Sequence, residues 1–251
     1  MKFVRFRDGK VEKKGIFING KIKEITGSFF NEYTVTENIY DFDNVKILPP
    51  ILPSKIVCIG RNYVAHAKEL GNEIPEAPLM FLKPSTAVIG HRDNIIYPES
   101  SNHVDHEAEL AVVIKRTCKK VSEDEALDYV LGYTCLNDVT ARDIQKKENK
   151  FTRGKGFDTF APMGPFIETE LNPFNVNVKA YVNGKIRQDG NTKDMMFDVP
   201  TLISFISNVM TLLPGDVIAT GTPEGVGQIQ PGDIVEVEVE GIGKLTNSVT
   251  K

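Results

Sequence analysis

Two glutamates one residue apart open an apolar run in HVDHEAELAVVI, residues 103–114. On a strand, side chains alternate faces, so Glu107 and Glu109 point the same way, roughly 6–7 Å apart at Cβ. Two carboxylates on one half-buried face repel each other and resist losing water unless a cation lies between them. A second stretch acts as a control: VEVEVEG puts Glu236, Glu238 and Glu240 on one face at the same spacing, opposite a row of Val. That pattern reads as an antiparallel strand with a solvated acidic side, so spacing alone does not make a metal site. What sets Glu107 and Glu109 apart is their context. Ala111 and Val113 continue their face, and Asp138 stands where a strand over residues 132–136 gives way to a polar helix from about Ala141. Strand ends let side chains from separate segments converge. Three carboxylates without nearby cysteine suit Mg²⁺, Mn²⁺ or Ca²⁺ better than zinc. Asp138 has an alternative use in capping the helix, which Thr140 with Asp143 could perform equally well.

Other residues carry chemistry with a plainer alternative beside each. His66 and Glu69 stand three apart in GRNYVAHAKELG. One helix face would hold both, and the carboxylate could orient the imidazole as a general base acting on water. The same spacing is also that of an ordinary exposed pair. Lys155 lies between Gly154 and Gly156 in FTRGKGFDTFAPMGP. Flanking glycines allow a close backbone approach to a ligand, and the lysine could stabilise an oxyanion or simply be a solvated loop residue. The stretch lacks the spacing of a phosphate loop. TGTPEGVG, residues 220–227, could cradle a carboxylate with its amides and hydroxyls, or be a plain turn.

The elements that would position these groups are mostly strands. The start of the chain alternates apolar and polar residues around Asp8-Gly9 and Asn19-Gly20, which predicts antiparallel hairpins. Pro49, Pro50 and Pro53 mark a connector, so a small N-terminal domain over residues 1–50 and a larger one over 51–251 are expected. Strands are expected over 55–59, 79–82, 107–114 and 132–136. Helices are expected over 63–70, with Gly71 as its C-terminal cap, and over 122–130, with Ser122 and Glu125 as a capping box. Another starts at Asp198 and Pro200 and turns Leu202, Ile203, Phe205, Ile206, Val209 and Met210 to one side. Helices do not alternate strictly with strands, which predicts a β-rich α+β fold rather than a doubly wound sheet.

Composition bounds the partners. The 251 residues are 41% hydrophobic and 25% charged with a formal net charge of −4, an ordinary globular make-up without a basic footprint for nucleic acid. No apolar run approaches the ~18 residues of a membrane helix, and the charged start MKFVRFRDGK is unlike a signal peptide, which points to the cytoplasm. Cys58, Cys118 and Cys135 stand singly, as buried thiols rather than a disulfide framework or a zinc site.

Taken in order, KIVCIGRNYVAHAKELG, APLMFLKPSTAVIG, VDHEAELAVVI, YTCLNDVTARDIQ, GKGFDTFAPMGP and TGTPEGVG resemble the catalytic domain of the fumarylacetoacetate hydrolase family, over roughly residues 54–250. The likeness is greatest to the small acylpyruvate hydrolase and oxaloacetate decarboxylase branch. It implies a β-rich roll of coiled sheets, a homodimer, and Mg²⁺ or Mn²⁺ held by Glu107, Glu109 and Asp138. It further implies a His66–Glu69 dyad on a lid helix and Lys155 beside developing negative charge. Arg61, Arg142, Gln145 and Thr222 fall on positions that commonly contact substrate or metal-bound water. The chemistry implied is cleavage of a 2,4-dioxo acid through a pyruvate enolate; decarboxylation or tautomerisation of oxaloacetate, and isomerisation of hydroxymuconate-type diacids, use the same enolate. A non-catalytic, calcium-like binding protein is the rival reading, although a pure binder has little need of a His–Glu dyad.

Overall fold

The computed structural model describes residues 1–69, 71 and 73–251. Its first hairpins follow from their turn residues. Asn19 and Gly20, with φ of 48° and 81°, form the two-residue loop between paired Ile18 and Lys21, a left-handed geometry that Asn-Gly adopts at little cost. The preceding hairpin turns on Gly9-Lys10 rather than Asp8-Gly9, because Asp8 is still paired with Val11. Strands Lys2–Asp8, Val11–Ile18, Lys21–Gly27 and Tyr33–Asp41 thus form an antiparallel meander. Through Lys2–Asp8 against Ala161–Glu168 it continues into a sheet of 12 strands. Across that sheet follow Val130–Asn137, Ala108–Ile114, Val217–Ala219, Ile56–Gly60 and Leu79–Lys83.

The Ala108–Ile114 strand is buried on both faces, as its apolar run requires. Leu110 and Val112 pack with Val178, Val237 and Leu245 of a five-stranded sheet, while Ala111 and Val113 pack with Ile56, Met163 and Ile167. A three-stranded sheet joins Val104–His106, Thr140–Ala141 and Gly227–Ile229. Glu107 was expected inside a strand; it is instead the single residue between Val104–His106 and Ala108–Ile114, where the chain passes from the small sheet to the large one. The control stretch behaves as its alternation demands: Ile234–Val239 buries Val235, Val237 and Val239, while Glu236 and Glu238 face Lys244 at 3.5 and 3.7 Å.

Helices are few. Val199–Val209 starts where Asp198 accepts a 3.0 Å hydrogen bond from the Thr201 N–H, and it buries Leu202, Ile203 and Ile206 in the core. The helix expected over 122–130 is only a 3₁₀ turn, Ala126–Tyr129. Ser122 donates to Glu125 Oε2 at 2.7 Å, so the two side chains bond each other and cap no helix. The helix expected over 63–70 spans Val64–Glu69; Leu70 and Asn72 lie outside the described residues. The fold is the expected β-rich one of mixed sheets. All three cysteines are free and buried, and burial pushes the Cys135 thiol up to about 12. Among the described residues no helix is long and apolar enough to cross a membrane.

Candidate active site

The backbone brings the carboxylates together before any side chain is placed. The Glu107 N–H donates to Asn137 Oδ1 at 2.9 Å, and the Asp138 N–H donates to the Glu107 carbonyl at 2.8 Å. This pins the sheet crossing at Glu107 to the end of the Val130–Asn137 strand, while Glu109 is held opposite Leu136. One carboxylate oxygen from each of Glu107, Glu109 and Asp138 then lies within 4.8 Å of the others, and all three residues are buried. Asp138 caps no helix; both of its oxygens are taken by lysines.

One of these is Lys155, only 3% exposed, whose ammonium bridges Glu107 Oε2 at 2.8 Å and Asp138 Oδ2 at 2.6 Å. It is therefore no solvated loop residue. Its glycine neighbour serves packing: a Cβ on Gly154 would lie 2.9 Å from Gln145 Cβ and 3.1 Å from the Ala141 carbonyl. Without one, the Thr152–Lys155 turn sits directly on the Arg142–Glu148 helix and delivers its lysine inward. Arg142 ties the cluster from that helix: it donates to Asp105 Oδ2 at 2.7 Å, to Gln145 Oε1 at 2.6 Å and to Glu107 Oε1.

The two glutamates meet opposite electrostatic fates. Burial pushes Glu107 up, but Lys155 and Arg142 outweigh it and hold its carboxyl far below the usual range. Burial, then the charges of Asp138 and Glu107, push Glu109 well above its ordinary value, offset only in part by Lys155 and the Gly221 N–H, which donates to it at 2.9 Å. Among the described residues Glu109 has no salt-bridge partner and is 1% exposed. A carboxylate so placed calls for a further positive charge. With oxygen donors alone around the gap, the group that fits is a hard divalent metal ion.

The triad lies in a cavity of about 390 Å³ that also takes in Arg61, His66, Arg142, Gln145, Lys155 and Thr222. Nine of the ten residues singled out from the sequence thus line one pocket. Glu69, the tenth, stands behind His66: its Oε2 is 3.5 Å from His66 Nδ1, too long to count as a hydrogen bond, and its carboxylate accepts from the Gly225 N–H at 3.1 and 3.2 Å. His66 is buried, and burial lowers its pKa, so the imidazole is neutral near pH 7. The 220–227 loop does bind carboxylates through its amides, but they are the chain's own, Glu109 and Glu69. Gly221, at φ +97°, has no room for a side chain, since a Cβ would lie 2.7 Å from that of Asn62. Thr222 is fixed from two sides, donating to the Ala108 carbonyl at 2.8 Å and accepting from Gln188 Nε2 at 2.7 Å.

Three contributors escaped sequence reasoning. Lys83, buried, donates to Asp138 Oδ1 at 2.6 Å and to the Val139 carbonyl at 3.0 Å. Its signal was alternation: Leu79, Phe81 and Lys83 share a strand face, and the first two line the pocket. Asp105, partner of Arg142, shares the period-2 row of Glu107 and Glu109. Gln188 reaches the site from the Lys185–Asn191 strand of the other sheet, and nothing local to it announces that.

Known proteins resemble the chain in both sequence and fold. Residues 55–250 match the family described as fumarylacetoacetate (FAA) hydrolase C-terminal, and residues 1–50 match one described as Rv2993c-like, N-terminal. The chain is 43% identical over 226 residues to the oxaloacetate tautomerase YisK of Bacillus subtilis, covering 84% of this chain and 75% of that protein. Over its whole length it superposes, with a TM-score of 0.93 and 42% identity, on 98% of a 2-hydroxyhepta-2,4-diene-1,7-dioate isomerase from Mycobacterium marinum. A maleylpyruvate hydrolase from Sphingobium sp. SYK-6, solved with manganese(II) and pyruvate, aligns with all of this chain and 99% of its own at a TM-score of 0.83 and 32% identity. With both its sequence and its sheet architecture matched along nearly the full length, the chain belongs to the fumarylacetoacetate hydrolase family.

Proposed function

We propose that the protein is a divalent-metal-dependent hydrolase that cleaves a carbon–carbon bond in a 2,4-dioxo acid, giving pyruvate and a carboxylic acid. The observation that carries this reading is one pocket holding both a buried three-carboxylate cluster and a buried neutral imidazole. Glu107, Glu109 and Asp138 would hold Mg²⁺ or Mn²⁺, whose contribution is Lewis acidity toward the carboxylate and keto oxygens of a 2-oxo acid. His66 supplies the base. With Nδ1 turned toward Glu69, Nε2 is the nitrogen left to take a proton from water. The resulting hydroxide adds to the C4 carbonyl, the C3–C4 bond breaks, and its electron pair forms the enolate of pyruvate, which is then protonated at C3. Lys155, kept protonated by Asp138 and Glu107 against the pull of burial, lies where negative charge develops. Arg61, Arg142 and Gln145 orient the substrate, and Thr222, its hydroxyl proton already donated, serves as an acceptor.

Tautomerisation of oxaloacetate is the second reading, favoured by the name of the 43% identical Bacillus relative; it shares the enolate and its protonation at C3, but the proton moves between C3 and the enol oxygen and no water is added. Acetylpyruvate, fumarylpyruvate, oxaloacetate and a hydroxymuconate diacid, each assayed with and without metal, separate the possibilities. Pyruvate with an equivalent of carboxylic acid means hydrolysis, CO₂ means decarboxylation, and a spectral shift without fragments means tautomerase or isomerase. Full turnover in rigorously metal-free protein would refute the whole reading. To the same proposal belong a homodimer, a cytoplasmic location, and a division into a small unit over residues 1–50 and a catalytic one over 51–251; the two family matches, which meet at the proline connector, support the division.

A further inference from the structure

Ala108 stands between Glu107 and Glu109, and side chains rather than a strand satisfy one edge of its peptide. The Val217–Ala219 strand pairs with Val113, Val112 and Ala111 and then ends. Thr220 makes the last backbone bond, its N–H donating to the Leu110 carbonyl at 3.1 Å. At Ala108 the Thr222 hydroxyl donates to the carbonyl at 2.8 Å, and Gln188 Oε1 accepts from the N–H at 2.9 Å.

The Gln188 amide can sit only one way round. The Ala108 N–H is a pure donor and requires Oε1; the Pro223 carbonyl, a pure acceptor at 2.8 Å, requires Nε2. Oε1 also accepts from His106 Nδ1 at 3.1 Å, and Nε2 also donates to Thr222 Oγ1 at 2.7 Å. All four bonding positions of this buried amide are thus filled within the protein. A closed ring results, from the Ala108 N–H through Gln188 and Thr222 back to the Ala108 carbonyl. The strand that supplies Gln188 is shaped for the task. Of Lys185–Asn191 only Gln188 is buried, and the pairing slips there: Ala180 faces Gln188 but Tyr181 faces Ile186, which leaves Arg187 as an extra residue. Such a bulge re-aims a side chain. Strand and loop also approach too closely for side chains. A Cβ on Gly190 would lie 2.3 Å from Pro223 Cβ, and one on Gly225 would lie 2.1 Å from the Arg187 carbonyl oxygen.

We infer that Gln188 is a positioning residue for the metal centre. Among the described residues it bonds none of the three carboxylates. The ring it closes fixes the peptide between Glu107 and Glu109, and with it the separation at which two of the carboxylates meet an ion. Ligands already held at that separation need no ordering when the ion arrives, which tightens binding. This rests on the metal reading above and adds to it a determinant drawn from the opposite sheet.

The test is calorimetric Mn²⁺ binding to folded protein carrying Gln188→Met, Thr222→Val or both, beside urea unfolding of the metal-free forms. Opening the ring at either residue should weaken Mn²⁺ binding about tenfold. One break already opens it, so the double variant should bind no more than about twofold less tightly than the weaker single one. Thr222→Ser, which keeps the hydroxyl, should stay within about twofold of the parent. Gln188→Asn serves as a second variant at that position. Its amide is one methylene too short to span from Ala108 to Thr222 but leaves room for water, and the same tenfold loss is expected, to about that factor. Unchanged affinity in folded Gln188 variants, whatever their urea midpoints, would overturn the role, as would losses that multiply to about a hundredfold. Loss of folding in both Gln188 variants would overturn it too, since the amide would then serve the fold alone. A parent protein that takes up no Mn²⁺ would overturn the metal reading itself and this role with it.

Discussion

Glu109 is a buried carboxylate with one backbone N–H for a partner and two carboxylates beside it. Its charge is therefore a liability until a cation arrives, which separates its role in binding from its role in folding. Glu109→Gln should weaken Mn²⁺ binding by at least about a hundredfold and abolish turnover, since it removes the charge of one of the three carboxylates proposed to hold the ion. The metal-free variant should nonetheless be as stable as the parent or about 1 kcal/mol more stable, because repulsion is relieved; calorimetry and urea unfolding read the two effects. Lys83 behaves in the opposite way. Lys83→Met strips Asp138 of a buried partner and should cost about 3 kcal/mol, seen as a lower urea midpoint. The carboxylates were legible in the sequence because their types and context were unusual for a buried face. Lys83 was not, because a lone lysine in an apolar strand acquires meaning only from Asp138, 55 positions away.

Elements were legible where local chemistry alone decides them. Asn19-Gly20 and the Asp198 cap each dictate backbone geometry within a few residues, and both are found as the sequence implies. Ser122 and Glu125 have the residue types of a cap, but the segment is too short and its side chains too well matched to each other to hold a helix. The break at Glu107 was hidden for another reason: it is imposed by two different sheets competing for one continuous strand pattern. Packing between elements also leaves a thermodynamic mark. His91 is 6% exposed, accepts from the Thr246 N–H at 3.1 Å and packs beside Phe42. Burial, with Arg92 and Lys46 nearby, lowers its pKa from 6.5 to about 4. Between those values the unfolded chain binds a proton that the folded one refuses, so stability is lost as pH falls through 6.5 toward 4 and levels off below. The loss should approach about 3 kcal/mol, and His91→Gln should flatten that part of a urea-midpoint profile against pH.

At the scale of the whole molecule, a site that lacks one positive charge makes metal a stabiliser as well as a reagent. Saturation at about a hundred times the dissociation constant adds about 2.7 kcal/mol. For a chain of this size that corresponds to a rise in Tm of about 5–10 °C, so EDTA should lower the calorimetric midpoint by that amount and Glu109→Gln should abolish the difference. The overall class of fold was readable from the scarcity of helical periodicity. The order of strands was not, because the pairing of Lys2–Asp8 with Ala161–Glu168 joins residues 164 and 166 positions apart, Phe3 with Ile167 and Lys2 with Glu168. That pairing has a consequence for the chain's history and handling. Lys2 and Phe3 shield one side of the Ala161–Glu168 strand, while Phe17 stacks on its Phe166 and Phe42 packs against the same ring at a tilt. A chain cut to begin at residue 51 would bare an unsatisfied, aromatic-rich margin. It should assemble into higher oligomers on a sizing column while its carboxylate cluster still captures Mn²⁺, since no residue of that cluster comes from the excised part.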